Sequence, residues 1–324
     1  MKKSFCRKVD KTMGRKRTKM KGDKLSFQKS IKKYWILYLM LFPGILYFAV
    51  FKYGAMFGLI TAFYDYRLTK GIFGSEFVGL KHFIKFFGSN KFGTLFINTL
   101  RLAICNILLF FPLPIIVALL INELKSKKLK SVVQAVIYIP HFVSWVVVAS
   151  IVVQLFNSQD GAITQMIKSV FGIQINLLSN SATFVGLITG EQMWKEFGWG
   201  TIIFLSALAG VDLQLYEAAK IDGASRFQRV LHITLPALKP TIIIQLILRM
   251  GSFMNTGFEQ ILLTLNSSNR SVGEVFDTYV YQMALQNGKI SYGTAIGMFK
   301  SVIGLILVIG VNTIAKKLGE EGVY

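Results

Sequence analysis

The chain has 324 residues, of which 53% are hydrophobic and only 16% charged, with a mean hydropathy of +0.51. Soluble chains carry about a quarter charged residues, so this composition argues against a two-domain soluble protein and for membrane spans. The net charge of +21 would suit nucleic acid, but the cations cluster between apolar stretches and no folded basic domain is left to carry them.

Residues 1–33 hold 14 of the lysines and arginines and read as a basic cytoplasmic tail against anionic headgroups, too polar to fold alone. Residues 34–324 read as an all-α membrane domain. Six windows reach the roughly 20 helical residues that cross about 30 Å of hydrocarbon: 34–57, 96–121, 132–156, 183–209, 241–265 and 293–315. The runs do not alternate as barrel strands would. The first window is longer than the core of a signal peptide and lacks a clear cleavage site, so it is expected to be a retained span. Outside the spans, 24 lysines and arginines fall on the side of the N-terminus and 8 on the other, which places both termini in the cytoplasm.

The outer loop 53–95 contains GLKHFIKFFGSNKFGTLF, which predicts a short amphipathic helix at the interface, phenylalanines down. Cys6 and Cys105 suggest no disulfide framework, and three scattered histidines, His82, His141 and His232, give no metal-ligand spacing. No P-loop, GxSxG, HExxH or paired-carboxylate pattern occurs, so neither ATP binding nor catalysis is expected in this chain.

Charged residues inside the spans are costly and mark a bundle interior or a cavity. Lys52 lies near a span end, where it can snorkel, and Arg101 sits only a turn or two inside its own. Lys300 has two roles open, interface or pathway. Glu191, Lys195 and Glu196 interrupt the fourth window among Gly190, Gly198 and Gly200, with Trp194 and Trp199 alongside, as in the broken spans of transport sites. Lys195 is placed either to meet a solute or to pair with Glu191 four residues away. In the fifth window Arg249, Ser252, Asn255, Thr256 and Glu259 recur at helical spacing. Such a polar stripe is expected to face an interface, with Arg249, Asn255 and Glu259 on a pathway, or with Arg249 paired to Glu259 or Glu196.

The segment 211–240, VDLQLYEAAKIDGASRFQRVLHITLPALKP, reads as two short helices, 213–221 and 226–232. Gly223 permits a left-handed stop, Ser225 caps the second helix, and Phe227, Val230 and Leu231 are expected to pack inward. Leu235 and Pro236 are expected to end the unit before the fifth span. Glu217 and Asp222 supply charge for a partner, and Ala218 and Ala219 let one approach closely.

EAAKIDGAS followed by ITLP resembles the EAA loop of ABC importer membrane subunits, and the YEAAxIDGA form is similar to their maltose-type, carbohydrate-importing branch. IPHFVSWVVVASIV, MWKEFGWGTIIFLSALAG, GFEQILL and DTYVYQMALQNGKISYGTAIGMFK extend the likeness over about residues 35–324, toward a permease-B-like subgroup that imports complex oligosaccharides, uronate-containing ones included. LTLNSSNRSVGEV departs from that subgroup in an outer loop. The resemblance implies a permease of the bacterial cytoplasmic membrane, in which Glu217, Ala218, Ala219, Asp222, Gly223, Ala224, Leu235 and Pro236 couple to an ATPase dimer. It also implies ATP and Mg bound in that partner, a second permease and an extracytoplasmic solute-binding protein; the pathway residues expected from the polar spans are Trp194, Lys195, Arg249, Asn255 and Glu259. An ion-coupled secondary transporter is the alternative; it calls for inverted repeats and an ion site, neither of which is visible.

Overall fold

The computed structural model describes residues 33–157, 159–173, 176–178, 180–317 and 319. The expected basic tail therefore lies outside the described residues, except for Lys33. Two units are treated separately, divided after Gly58. In the first, α1 (Trp35–Tyr47) carries Pro43 and passes into a π-helical stretch, Phe48–Gly54.

A 3-10 stretch, Phe57–Phe63, runs across this division, and a hairpin not expected from the sequence follows it in the second unit. Strands β1 (Tyr64–Arg67) and β2 (Gly71–Phe77) pair antiparallel, Tyr64 opposite Phe77, with their rings 5.2 Å apart. Helix α2 (Lys81–Phe87) is the expected short helix, but its phenylalanines are not all turned to lipid. Phe86 is fully buried with Leu95, Phe276, Tyr292 and Ile296, because a ring gains more in a packed aromatic cluster than at an interface.

Helix α3 (Asn90–Cys105), a π turn (Asn106–Phe110) and α4 (Pro112–Asn122) form one run through the second window. The wide turn has a cause. Pro112 lacks an N–H and crowds the carbonyl four residues back, and the π turn absorbs that defect, with Phe111 N donating to Asn106 O at 3.0 Å.

The third window is not a straight span. Helices α5 (Lys127–Phe142) and α6 (Trp145–Phe156) meet at 90°. Pro140 sits in the last turn of α5, Val143 is extended, and the Ser144 side chain accepts from Val147 N at 3.3 Å to start α6. After α7 (Ala162–Phe171), helix α8 (Ser181–Ala209) runs unbroken for 29 residues, so the expected interruption at Glu191–Glu196 does not occur. Gly198 and Gly200 serve packing instead. A Cβ at Gly198 would fall 1.9 Å from the Ile137 carbonyl oxygen, and one at Gly200 would meet the Pro114 ring at 3.0 Å.

Helix α9 (Leu213–Ile221) matches the first hairpin helix. The second does not stop at Pro236. Helix α10 (Arg226–Arg229), a π turn (Val230–Thr234) and α11 (Leu235–Gly251) continue as one 26-residue helix. As at Pro112, a π turn directly precedes the proline and accommodates it. The fifth window then breaks at residues 252–257. Gly257, at φ +82°, precedes a separate short helix, α12 (Phe258–Thr264). The polar stripe from Arg249 to Glu259 is thus divided between two helices. Short helices α13 (Arg270–Gly273) and α14 (Phe276–Tyr281) and a π turn (Gln282–Gln286) lead into α15 (Ile290–Lys317). Among the described residues four helices are long and apolar enough to cross a membrane, or six if each bent pair counts as one span.

Replacing Gly198 by Ala is expected to push α5 off α8, at the roughly 1–3 kcal/mol typical of overpacking. Gly186→Ala, with open space at that position, serves as the neutral control. Thermal unfolding of the detergent-solubilised protein, followed by loss of the monodisperse gel-filtration peak, measures both.

Candidate functional site

Two places in the fold gather the residues singled out by the sequence. The first is the hairpin. Asp212 accepts from Gln214 N at 2.9 Å and starts α9. At its far end Gly223 takes φ +78°, Ala224 N donates to Ala219 O at 2.9 Å and Gly223 N donates to Lys220 O at 3.1 Å. This pair of bonds closes the helix in the manner that left-handed glycine ends require. Ser225 and Gln228 then form a reciprocal capping box, with Ser225 N donating to Gln228 Oε1 at 2.7 Å. Tyr216 Oη lies 3.0 Å from Thr234 Oγ1 and ties α9 to the π turn. Glu217, Ala218 and Asp222 are exposed, Ala219 and Ala224 half-buried, and Leu235 and Pro236 exposed on the continuous helix. The expected inward packing of Phe227 and Leu231 is not seen: both are exposed, Phe227 at 73%.

The second place is an open cleft of about 460 Å³ where α4, α6, α8 and α11 converge, lined among others by Trp145, Gln192, Glu196, Trp199, Gln245 and Arg249. Arg249 Nη2 donates to Asn106 Oδ1, and the guanidinium stands 4.9 Å from the centre of the Phe110 ring. Asn106 Nδ2 in turn donates to Gln192 Oε1 at 2.5 Å. Arg249 therefore pairs with neither Glu259 nor Glu196. On the opposite wall the Trp199 ring stacks on His141, with centroids 4.4 Å apart and planes at 4°. His141 Nδ1 lies 2.8 Å from Glu196 Oε2. Lys195 is buried behind this wall: Nζ donates to His141 O at 2.6 Å, lies 3.6 Å from Glu196 Oε1 and stands 5.2 Å from the Trp145 ring centre. It does not pair with Glu191, which accepts instead from Gln260 Nε2 at 2.7 Å.

Of the five pathway residues, only Arg249 lines the cleft. Lys195 supports its wall. Trp194 is exposed and does not line it, and Asn255 and Glu259 are exposed beyond the end of α11. Asn255 shares with Arg249 only a void of about 10 Å³, too small for a solute. The sequence reading passed over Asn106, Gln192 and Trp145. Asn106 could have been found as an amide inside an apolar run, next to the prolines that distort it. Glu196, expected within an interruption of the fourth window, is a wall residue. An aromatic, amide and ion-pair lining of this kind can place ring faces against sugar C–H surfaces and donors against hydroxyls or carboxylates.

Residues 111–320 match the family model described as "Binding-protein-dependent transport system inner membrane component". Protein LplB of Bacillus subtilis (strain 168) is 50% identical over 94% of this chain and 95% of its own length. The polygalacturonan/rhamnogalacturonan transport system permease protein YteP of the same organism is 50% identical over 89% of this chain and 90% of its own. A chain of a bacterial alginate ABC transporter, crystallised with alginate pentasaccharide-bound periplasmic protein, superposes with a TM-score of 0.84 at 35% identity, covering 92% of this chain and 99% of that one. The chain belongs to the family of inner membrane components of binding-protein-dependent transport systems, the permease subunits of ABC importers.

Proposed function

We propose that this chain is one of two nonidentical permeases of an oligosaccharide importer, with acidic, uronate-containing chains as the favoured cargo. The observation that carries the importer reading is the hairpin 211–240. Its two helices are closed by Gly223 and Ser225, and Glu217, Ala218 and Asp222 are presented to solvent as a partner surface. In this reading both termini and the hairpin are cytoplasmic and the polypeptide crosses the membrane six times, the bent α5–α6 pair counting as one crossing. The hairpin docks on a separate ATPase dimer, which binds ATP and Mg. An extracytoplasmic binding protein delivers the sugar to a pathway shared with the second permease. ATP-driven closure of the dimer favours one of two global states, and the hairpins carry that bias to the spans.

The cargo class is supported by the cleft and by two relatives. Arg249 offers a fixed cation in a cleft that Trp145 and Trp199 also line. A guanidinium recognises carboxylates geometrically as well as by charge. YteP is described as a permease protein of a polygalacturonan/rhamnogalacturonan transport system, and the matching crystal structure is of an alginate ABC transporter.

Two experiments test the reading. Gly223→Val puts a β-branched residue into the left-handed region at a cost of about 1–2 kcal/mol, with open space around it. The protein is expected to insert normally while ATP hydrolysis by the assembled transporter no longer drives uptake; normal uptake would reject the hairpin's role. Arg249→Leu is expected to raise the KM for a galacturonate oligomer by roughly tenfold, as loss of a charge-assisted hydrogen bond implies, and to leave a neutral oligosaccharide within about twofold. Equal effects on both sugars, measured in proteoliposomes, would remove the acidic-cargo assignment.

A further inference from the structure

Glu191 lies within α8, 6% exposed and outside the lining of the cleft. Its Oε2 accepts from Gln260 Nε2 at 2.7 Å, and the same amide nitrogen donates to Ile188 O, also at 2.7 Å. Gln260 is 1% exposed, so the contact is sealed on both sides. Two oxygens of this one contact are left over. Neither Glu191 Oε1 nor Gln260 Oε1 has a donor among the described residues, and both are acceptors when the carboxyl is ionised.

The charged groups nearby are engaged elsewhere or turned away. On α8 itself Lys195 donates to His141 O and Glu196 meets the His141 ring. Of the helices packed on α8, α4 has no charged side chain, α5 brings His141 and lysines at its opposite end, and α11 brings Arg249, held by Asn106, and the exposed Lys239. Helix α3 brings the exposed Arg101 and Lys91, the latter paired with Glu274, and α13 brings Arg270, paired with that same carboxylate. Around Gln260, α6 has no charged side chain and Glu259 of α12 is exposed. On α14, Asp277 pairs with Lys300, while Tyr279 and Tyr281 face the rings of Tyr292 and Phe258. An ionised Glu191 would thus be a buried charge with no cation against it, beside two unpaired acceptors, and each of these is costly.

We propose that Glu191 is a buried proton-binding site, in which a proton on Oε1 is donated to Gln260 Oε1 while Gln260 Nε2 donates to Oε2, closing an acid–amide ring. One proton then satisfies both leftover oxygens and removes the charge. A water molecule would satisfy the oxygens but leave the charge buried. The site touches the cleft through the turn that precedes α12. A Cβ at Gly257 would fall 3.1 Å from Gln260 Oε1, and Gly257 lines the cleft. The closed ring holds that turn and α12 to α8; loss of the proton sets a negative oxygen against a carbonyl oxygen and loosens the join. The inference does not rest on the importer reading, because the ring needs no ATPase, sugar or second permease.

The full chain in nanodiscs tests this by infrared difference spectroscopy of the wild type against Glu191→Gln. At neutral pH the wild type is expected to show the carbonyl stretch of a protonated carboxyl, which the variant lacks and which gives way to carboxylate bands as the pH is raised. Glutamine is isosteric with the neutral acid and rebuilds the ring as an amide pair. Glu191→Gln is therefore expected to give a monodisperse peak and a thermal midpoint at least equal to that of the wild type at neutral pH. Linkage sets the sign of the pH dependence. The unfolded carboxyl ionises near pH about 4.3, so above that pH the native state holds one more proton than the unfolded one. Its stability then falls as the pH rises, by up to about tenfold per pH unit in the unfolding equilibrium, and Glu191→Gln removes that slope. Carboxylate bands alone at neutral pH, meaning an ionised Glu191 held by a water or a cation, overturn the site. So does aggregation of Glu191→Gln where the wild type stays monodisperse, or a parallel fall in stability with pH in both proteins.

Discussion

A polar side chain within hydrocarbon has no water to turn to, so it must find its partner on another segment of the same fold. That constraint organises the second unit. Asn106 accepts from Arg249 and donates to Gln192, and so joins three long helical runs through a single amide. Gln260 Nε2 reaches both Ile188 O and Glu191 Oε2 at 2.7 Å and pins α12 to α8. Lys195 is anchored on the carbonyl of His141, and Lys300 pairs with Asp277. Each contact joins residues far apart in sequence. Apolar packing alone would tolerate a slide of one helix along another; these bonds do not.

The cleft follows from the same rule. Asn106 and the Phe110 ring hold Arg249 on one side, which leaves part of the guanidinium facing the open space. Across from it, Lys195 fixes the α5–α6 corner and, through Glu196 and His141, sets the plane of Trp199. The two walls are thus held by separate polar networks and need no solute to form.

The sequence was most legible where local chemistry decides structure. Apolar run length located the long helices. Gly223 and Ser225 fixed the turn of the hairpin, since caps and left-handed turns depend on only a few neighbouring residues. The errors came where a long-range demand overrode a local one. Pro236 reads as a terminator, but a π turn absorbs it, a backbone choice that no residue type announces. The Glu191–Glu196 stretch reads as a break, yet α8 stays helical there, with Glu191 Oε2 accepting from Gln260, Lys195 donating to the His141 carbonyl and Glu196 meeting the His141 ring. The regular spacing from Arg249 to Glu259 implied one polar face, but the turn at residues 252–257 divides it. The corner at Val143 left only a faint trace, a proline and a serine near the middle of an apolar window.

The uninterrupted helix from Arg226 to Gly251 has a mechanical meaning. At 1.5 Å per residue its 26 residues form a rod of about 39 Å, with the capped hairpin at one end and Arg249 at the other. A terminator at Pro236 would have placed a swivel between them, and a push on the hairpin would have been spent there as local bending. A stiff rod instead turns that push into tilt. Its Leu235–Gly251 part packs against α8 and α15, so under the proposed coupling such a tilt would shift the guanidinium relative to the tryptophan wall, and the width of the cleft would follow the position of the hairpin.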